Sequence, residues 1–294
     1  MSISEITPTQ YIDNYHLLHL LGQGNNSEVY LATHPKFEQP VALKLLHART
    51  SEREVQRFLT QSAMWSKLDH SNIIHVYDFS LTYSGIPYLV TNYAPQGTLR
   101  QRHPRGTRLP LAEVVPYVAQ IADALHYVHE HQLVHRDVKP QNMLLGAHNE
   151  IILNDFGTAI VSYSLVPNAV DFEGTVLYAA PEQLAGRSLR ASDQYALAVM
   201  THELLCGSWP FIGTFEEVTH KHLFEPAPTL RAKGVEVPLA VEEVLQCALS
   251  KDSASRFDTI QDFANALSEA CCSLDQLPAS FPAKKQFRSP RPFI

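Results

Sequence analysis

The chain has 294 residues, of which 45% are hydrophobic and 18% are charged, a composition typical of a globular protein with one large domain or two lobes. Its formal net charge of −7 argues against a general nucleic-acid-binding protein, because neutralising phosphates requires a basic surface. The four cysteines form no CxxC pair and no disulfide framework, so we expect a reducing cytoplasm. The N-terminus lacks a signal-peptide pattern, and no segment approaches the about 20 apolar residues of a membrane-spanning helix.

The first ninety or so residues are predicted to be mostly β-structure. Runs of apolar and β-branched residues predict strands at 15–21, 28–33, 41–46, 73–79 and 86–91. Between the third and fourth of these strands, over 51–68, the apolar residues change to the spacing of a helix. The sequence therefore indicates a β-rich lobe with one main helix.

The rest of the chain is predicted to be mainly helical. Apolar residues at helical spacing indicate helices at 111–131, 191–206, 240–250 and 259–270. An irregular stretch at about 135–190 holds most of the polar motifs. Residues 273–294 combine four prolines with four basic residues, which predicts a flexible tail.

A glycine-containing loop joins the first two predicted strands. Gly22 and Gly24 would let backbone N–H groups approach a phosphate closely, although similar turns join strands in many hairpins. Ser27 and Val29 complete this loop. The third strand, VALKLL, carries Lys44; a lone lysine on a strand is usually a solvated charge, so only its combination with the loop suggests phosphate binding.

The segment HRDVKPQN is the most specific motif, and it contains Asp137, Lys139 and Asn142. Eighteen residues beyond Asp137, a predicted strand ends in DFG, which begins with Asp155. A carboxylate there suits magnesium, which binds a few carboxylates together with phosphate oxygens. Phosphoryl transfer needs mainly positioning and charge stabilisation, and these residues offer a candidate for each task.

In this order the motifs resemble those of the eukaryotic-type (Hanks-type) serine/threonine protein kinases, particularly bacterial members. The resemblance implies an α+β fold of two lobes, with a small β-rich N-lobe that has one main helix and a larger, mostly α-helical C-lobe. It implies an N-terminal extension at 1–14, a kinase domain at 15–272, with its N-lobe at 15–93 and C-lobe at 94–272, and the tail at 273–294.

The resemblance also implies a role for each motif residue. Asp137 would accept or orient the proton of the attacking hydroxyl, and Lys139 would neutralise charge on the γ-phosphate. Asn142 and Asp155 would bind Mg²⁺ (or Mn²⁺). The residues expected to contact ATP, with Lys44 on its phosphates and the others on the loop or around the adenine, are Gly22, Gly24, Ser27, Val29, Ala42, Lys44, Thr91, Asn92, Ala94 and Leu144.

Three further contacts are implied in the C-lobe. Thr175, in the GT…APE segment, would bond with Asp137 and Lys139. Glu182 would pair with Arg256, and Asp193 would tie the HRD loop to the core.

The expected partners are protein substrates with serine or threonine acceptors, because Lys139 and the GT…APE segment match the serine/threonine branch. A homodimer that forms through the N-lobe is a further expectation. Neither a nucleic acid nor a membrane segment is expected.

The sequence departs from the family at the helix of the N-lobe. The glutamate that normally pairs with the strand lysine is replaced by Gln61 in the favoured alignment, whereas Glu54 lies two helical turns, about 10 Å, earlier. A neutral hydrogen bond to Lys44 would be about half as strong as a charged one. This departure motivates an alternative: a pseudokinase, or a weakly active nucleotide-binding signalling module.

The segment before Thr175 gives little support for regulation by phosphorylation. The segment between Thr158 and Thr175 offers Ser162, Tyr163 and Ser164 but no late threonine for a regulatory phosphate, so control by autophosphorylation is unsupported.

A small-molecule kinase of related fold is a weaker alternative. The fifteen histidines include His126 and His129, three apart on a helix, but no acidic or cysteine partner completes a zinc site.

Overall fold

Residues 11–24, 27–47, 51–155, 160–161 and 176–272 are described by the computed structural model. The N-terminal part is a six-stranded antiparallel sheet with strand order β1-β2-β3-β4-β6-β5. Its strands are β1 (Tyr11–Ile12), β2 (Tyr15–Gln23), β3 (Ser27–Thr33), β4 (Val41–Leu46), β5 (Val76–Leu81) and β6 (Pro87–Asn92), and helix α1 (Glu52–Trp65) lies between β4 and β5 in the chain. The sheet thus begins within the expected extension, because β1 pairs with β2.

The two faces of this sheet have different environments. Along β4, Val41, Leu43 and Leu45 are buried, whereas Ala42 and Lys44 alternate with them and are half-buried. Because successive side chains of a strand point to opposite faces, the buried set defines an inner face and Lys44 lies on the other. The inner-face core comprises Tyr15, Leu17, Tyr30, Ala32, Val41, Leu43, Leu45, Tyr88 and Val90.

The prediction of a strand at 73–79 is wrong for its first three residues. Strand β5 begins at Val76, and Ile73 instead forms an isolated bridge with Leu153. The N–H of Ile74 donates to the carbonyl of Leu153 at 2.9 Å, and both isoleucines are buried in the large C-terminal core. These apolar residues therefore join the two lobes and do not extend the sheet.

The C-terminal part is mostly helical, as predicted. Its helices are α2 (Leu99–Arg102), α3 (Leu111–Glu130), α4 (Pro181–Leu184), α5 (Arg190–Cys206), α6 (Phe215–Phe224), α7 (Leu239–Ala248) and α8 (Ile260–Cys272). Four short strands, β7 (Leu133–Val134), β8 (Met143–Leu145), β9 (Ile151–Leu153) and β10 (Ile160–Val161), form the antiparallel pairs β8–β9 and β7–β10. Single 3₁₀ turns lie at Pro140–Asn142, Arg231–Lys233 and Ser253–Ser255. The α+β two-lobed fold is confirmed.

Helix α5 is the central element of this lobe. Every residue from Ser192 to Cys206 is buried, and the helix ends at Gly207 in a left-handed conformation with φ of 72°. A Cβ at this glycine would lie 2.7 Å from the carbonyl oxygen of Gly106, so both backbone conformation and space require glycine.

Helix α6 was missed because its apolar periodicity is weak. It begins with a capping box in which the N–H of Thr214 donates to Glu217 at 2.8 Å and the N–H of Glu217 donates to the Thr214 hydroxyl at 3.3 Å. The T-x-x-E pattern is a local signal that could have located it. Within the described ranges, no helix has both the length and the apolar character required to cross a bilayer.

Candidate active site

The HRD segment places two polar side chains around one carboxylate. It follows β7 directly, and Lys139 Nζ lies 2.7 Å from Asp137 Oδ2. The amide Nδ2 of Asn142, in the 3₁₀ turn, donates to Asp137 Oδ2 at 2.8 Å and to the Asp137 carbonyl at 2.7 Å. The Asp137 side chain is 11% exposed, so its orientation is set by these two partners while an edge stays accessible.

Asp193, near the start of the buried helix α5, anchors the HRD segment to the core of the C-lobe. Its carboxylate accepts hydrogen bonds from the N–H groups of His135 at 2.9 Å and Arg136 at 2.8 Å. His129 Nε2 lies 2.8 Å away on α3. Burial alone would raise the pKa of Asp193, but the bonds and charges of His129, His135 and the Arg136 backbone outweigh it, so the pKa is lowered.

Arg136 has a φ of 73°, an unusual conformation for a residue with a side chain. Its two backbone anchors are the bond to Asp193 and the donation of Gln183 Nε2 to its carbonyl at 2.8 Å. Such backbone strain persists only where neighbours enforce it, and here it turns the chain immediately before Asp137.

Asp155 lies just beyond β9 and also has a positive φ, 58°. Its Oδ1 is 2.9 Å from Lys44 Nζ, an ion pair between two residues 111 positions apart. The N–H of the preceding residue, Asn154, donates to the Asn142 carbonyl at 2.9 Å. The end of β9 is therefore attached to the turn that carries Asn142, which brings both predicted metal ligands to one place.

The donor atoms at this place fit a hard divalent cation. Asn142 uses Nδ2 for both bonds to Asp137, so its amide oxygen is the atom that can bind a metal. The Asp155 carboxylate is 39% exposed and supplies oxygens of the kind that magnesium prefers. Among the described residues, no group of three or more histidine, cysteine, aspartate or glutamate side chains forms another metal site, the histidines of α3 included.

Four of the N-lobe residues that are predicted to contact the nucleotide share one sheet face. Val29 is opposite Lys44 on the neighbouring strand, and Thr91 is opposite Ala42. Since Ala42 and Lys44 alternate with the buried residues of β4, all four side chains lie on the face away from the inner core. Gly22 is the next-to-last residue of β2, and Ser27 begins β3. The N–H of Gly24 donates to the Ser27 carbonyl at 2.8 Å, which closes the loop.

Asn92 and Ala94, which are predicted to lie around the adenine, are at and just beyond the end of β6. The side-chain oxygen of Asn92 accepts from the His75 N–H at 2.8 Å, and its own N–H donates to His75 at 3.1 Å. Ala94 is buried, and the half-buried Leu144 on β8 forms a bridge with Thr98. This segment is thus attached both to His75, the residue before β5, and to β8, the strand that carries Leu144.

The structure distinguishes Glu54 from Gln61, the two positions considered for the glutamate that would pair with Lys44. Glu54 is exposed at the first turn of α1, where its carboxylate accepts from the Ser51 N–H at 2.8 Å and hydroxyl at 2.6 Å. These bonds with Ser51 lower the pKa of Glu54. Gln61 is 7% exposed on the buried side of the helix, with Trp65. Glu54 is therefore a capping residue, and Gln61 is the position that faces inward.

The expected pair of Glu182 and Arg256 is present. Arg256 Nη1 and Nη2 donate to the two oxygens of Glu182, each at 2.8 Å, and Ser192 donates to the same carboxylate at 2.7 Å. Both charged side chains are buried, so this bidentate pair joins α4 to the segment before α8.

A second polar network was not anticipated. Tyr178, which precedes α4, donates to Glu203 at 2.5 Å and accepts from Arg100 at 3.0 Å and from the Trp209 indole at 2.9 Å. Arg100 also donates to Glu203 at 2.6 Å. The pKa of Tyr178 is raised, mainly by burial and next by the negative charge of Glu203. The partners come from separate parts of the chain, so no local sequence pattern could indicate the network.

Several predicted features fall outside the described residues. They are the Phe156 and Gly157 of DFG, the contact of Thr175 with Asp137 and Lys139, the hydroxyls of Ser162, Tyr163 and Ser164, and the tail at 273–294.

Comparison with known proteins agrees with this geometry. A family model described as "Protein kinase domain" matches residues 15–276. The chain is 33% identical over 254 residues to the serine/threonine-protein kinase PrkC of Bacillus subtilis, covering 84% of this chain and 39% of PrkC. It is 34% identical over 264 residues to PknB of Mycobacterium leprae, covering 86% of this chain and 42% of PknB.

A third relative is PknF of Mycobacterium tuberculosis, 37% identical over 262 residues, which cover 84% of this chain and 54% of PknF. All three are named serine/threonine-protein kinases, and the chain spans only about two fifths to one half of their length. Since the family model matches most of the chain, the chain belongs to the protein kinase domain family.

Proposed function

We propose that this chain transfers the terminal phosphoryl group of ATP to serine or threonine hydroxyls of protein substrates. The observation that carries the proposal is the Asp137 carboxylate, held by Lys139 and Asn142 beside the end of β9 that carries Asp155. The names of the relatives, all serine/threonine kinases, support it.

Each residue has a distinct task in the proposed reaction. Asp137 orients the acceptor hydroxyl and receives its proton as the new O–P bond forms and the bond to ADP breaks. Lys139 neutralises charge on the transferred group, and Lys44 binds the α- and β-phosphates. Asn142 and Asp155 would hold Mg²⁺ or Mn²⁺, which supplies positive charge against the phosphate oxygens.

The nucleotide itself would lie between the lobes. The loop with Gly22, Gly24 and Ser27 would cover the phosphates, and Val29, Ala42 and Leu144 would enclose the adenine. Thr91 would stand behind the ring, with backbone groups of Asn92 and Ala94 toward its edge. This arrangement is consistent with the sheet face that Val29, Ala42, Lys44 and Thr91 share.

The proposal extends to partners. Proteins with serine or threonine acceptors are the proposed substrates, and a homodimer through the N-lobe is retained as a proposal that sedimentation at increasing concentration would test. The cytoplasmic location expected from the cysteines stays a prediction.

A nucleotide-binding module without turnover is the second candidate, and Gln61 is the observation that favours it. The relatives favour the active form, because they are named as kinases. Lys44, Asp137, Asn142 and Asp155 are all retained in this chain.

The test is an assay with radiolabelled ATP, Mg²⁺ and a generic protein substrate, followed by identification of the phosphorylated amino acid. Asp137→Asn should lower turnover by about 10²–10⁴-fold, since it removes the proton acceptor. Asp69→Asn, the same change at an exposed aspartate, is the matched control and should leave turnover unchanged. Wild-type turnover in a folded Asp137→Asn variant, or phosphate only on tyrosine, would contradict the proposal.

A further inference from the structure

The inner face of the N-lobe sheet opens into a cavity that the proposed kinase reaction does not use. The cavity has a volume of about 610 Å³ and is lined by residues from β2, β5, β6 and the β3–β4 connection. That volume is many times the roughly 30 Å³ that one water molecule occupies in the liquid, so it can hold an organic group.

Five aromatic rings form a continuous wall of this cavity. Tyr77 stacks on Phe37 with ring centroids 4.8 Å apart, and Phe37 lies 5.5 Å from His34. His34 lies 4.5 Å from Tyr15, which contacts Tyr88 edge to face at 5.9 Å. All five line the cavity, and we call this set the aromatic wall.

Two carboxylates lie against the aromatic wall. Asp78 Oδ2 accepts from the hydroxyls of Tyr15 at 3.1 Å and Tyr88 at 3.4 Å, and Asp13 lines the same cavity. The pKa of Tyr88 is raised to about 12, mainly by burial and next by the negative charges of Asp78 and Asp13. Within the part of the chain that the structure describes, neither aspartate forms an ion pair with a basic residue, although the exposed Lys36 also lines the cavity.

Carboxylates without a counter-ion next to aromatic rings select for positive charge. A cation is attracted both by the carboxylates and by the negative faces of the rings, and each ring face contributes more as the cation is desolvated. An anion would be repelled, and a neutral ligand would gain only the apolar contact. We propose that this cavity binds an organic cation, an alkylammonium or guanidinium group, which is supplied either by a free small molecule or by a lysine or arginine side chain.

The cavity is separate from the nucleotide cleft. Tyr88 is opposite Leu45 in the β4–β6 pair, and both belong to the inner-face core. The neighbouring pair, Lys44 and Leu89, points to the other face. Occupation of the cavity should therefore be compatible with a nucleotide bound at Lys44.

The experiment measures binding of choline to the full chain by saturation-transfer NMR, with 3,3-dimethylbutanol, its uncharged isostere, as the matched ligand. A blocked Gly-Lys-Gly peptide forms the second arm. Choline or the peptide should bind at least about tenfold more tightly than the neutral isostere, as the loss of one charged contact of ordinary strength predicts. Saturating ADP should leave this binding unchanged.

The variants locate the site. Asp78→Asn keeps an oxygen that can accept from Tyr15 and Tyr88 but removes the charge, so it should weaken cation binding by about tenfold. Asp13→Asn, in the turn between β1 and β2, is the second variant if the first is unstable. Asp69→Asn is the control and should bind normally. Binding of choline alone would identify a small-molecule source, and binding of the peptide would identify a side chain; either result supports the site.

Three results would overturn the proposal. They are equal binding of choline and its neutral isostere, wild-type affinity in both pocket variants, and displacement of the cation by ADP. Absence of saturable binding by both cationic probes would have the same consequence.

Discussion

The two halves of the candidate active site are stabilised in different ways. The half around Asp137, formed by the HRD segment, is anchored by Asp193, which is fully buried and accepts three hydrogen bonds. The lysine half depends on the ion pair of Lys44 with Asp155, whose side chains are 27% and 39% exposed. Exposed pairs contribute little to stability, whereas breaking a buried one is costly. The first half is therefore preorganised, and the second can be adjusted by what binds there.

The largest effect should come from the anchor of the preorganised half. Asp193→Ala leaves His129 and two backbone N–H groups buried without their acceptor, which should cost about 3–5 kcal/mol of unfolding free energy and abolish turnover. Urea denaturation measures the first effect. Asp69→Ala is the exposed control and should change stability by less than about 0.5 kcal/mol. A similarly small change for Asp193→Ala would mean that Asp193 does not anchor the HRD segment.

The loss of folding stability at acidic pH should also originate in the C-lobe. Burial lowers the pKa of His202 to about 4 and that of His222 to about 3, from the usual histidine value of 6.5. Because both folded-state pKa values lie below the unfolded value, the stability they contribute is present above about pH 6.5 and is lost as the pH falls toward 4. Each histidine adds a slope approaching 1.4 kcal/mol per pH unit in that interval.

Denaturation at several pH values tests this prediction. His202→Gln and His222→Gln should each flatten the curve, while the exposed His220→Gln should leave it unchanged. If the slope is the same in all three variants, the acid sensitivity arises elsewhere.

A change in the lysine half should have a smaller effect, and on activity alone. Gln61→Glu restores a charge at the inward-facing position of α1, and a charged hydrogen bond exceeds a neutral one by about 1 kcal/mol. We expect kcat/KM to rise by up to about tenfold. Gln56→Glu adds the same charge at an exposed position of α1 and should have no effect. Equal gains in both variants would point to net charge and not to Lys44.

The smallest effect should come from the cap of α1. Ser51→Ala removes the hydroxyl that bonds with Glu54 and should cost about 1 kcal/mol, with little change in turnover. Ser66→Ala, at the other end of the helix, is the control. A loss of activity as large as that of a Lys44 variant would show that Glu54 has a role beyond capping.

Most of the elements could be predicted from the sequence because apolar periodicity is a local property. The predicted strands at 15–21, 28–33, 41–46 and 86–91 correspond to β2, β3, β4 and β6. The strand at 73–79 was misplaced because Ile73 and Ile74 are apolar for a different reason, their burial between the lobes. Periodicity reports that a residue is buried but not which element covers it.

The order of motifs along the chain determined the family and the candidate residues, including Asp193 and the pair of Glu182 with Arg256. Only the tertiary structure decided that Glu54 caps α1 and that Gln61 faces inward. It also decided that Lys44 pairs with Asp155, that Tyr178 joins Arg100 to Glu203, and that Tyr15 and Tyr88 meet Asp78. These contacts join residues on different elements, or select one face of a helix, so they depend on how the elements pack and leave no periodic trace in the sequence.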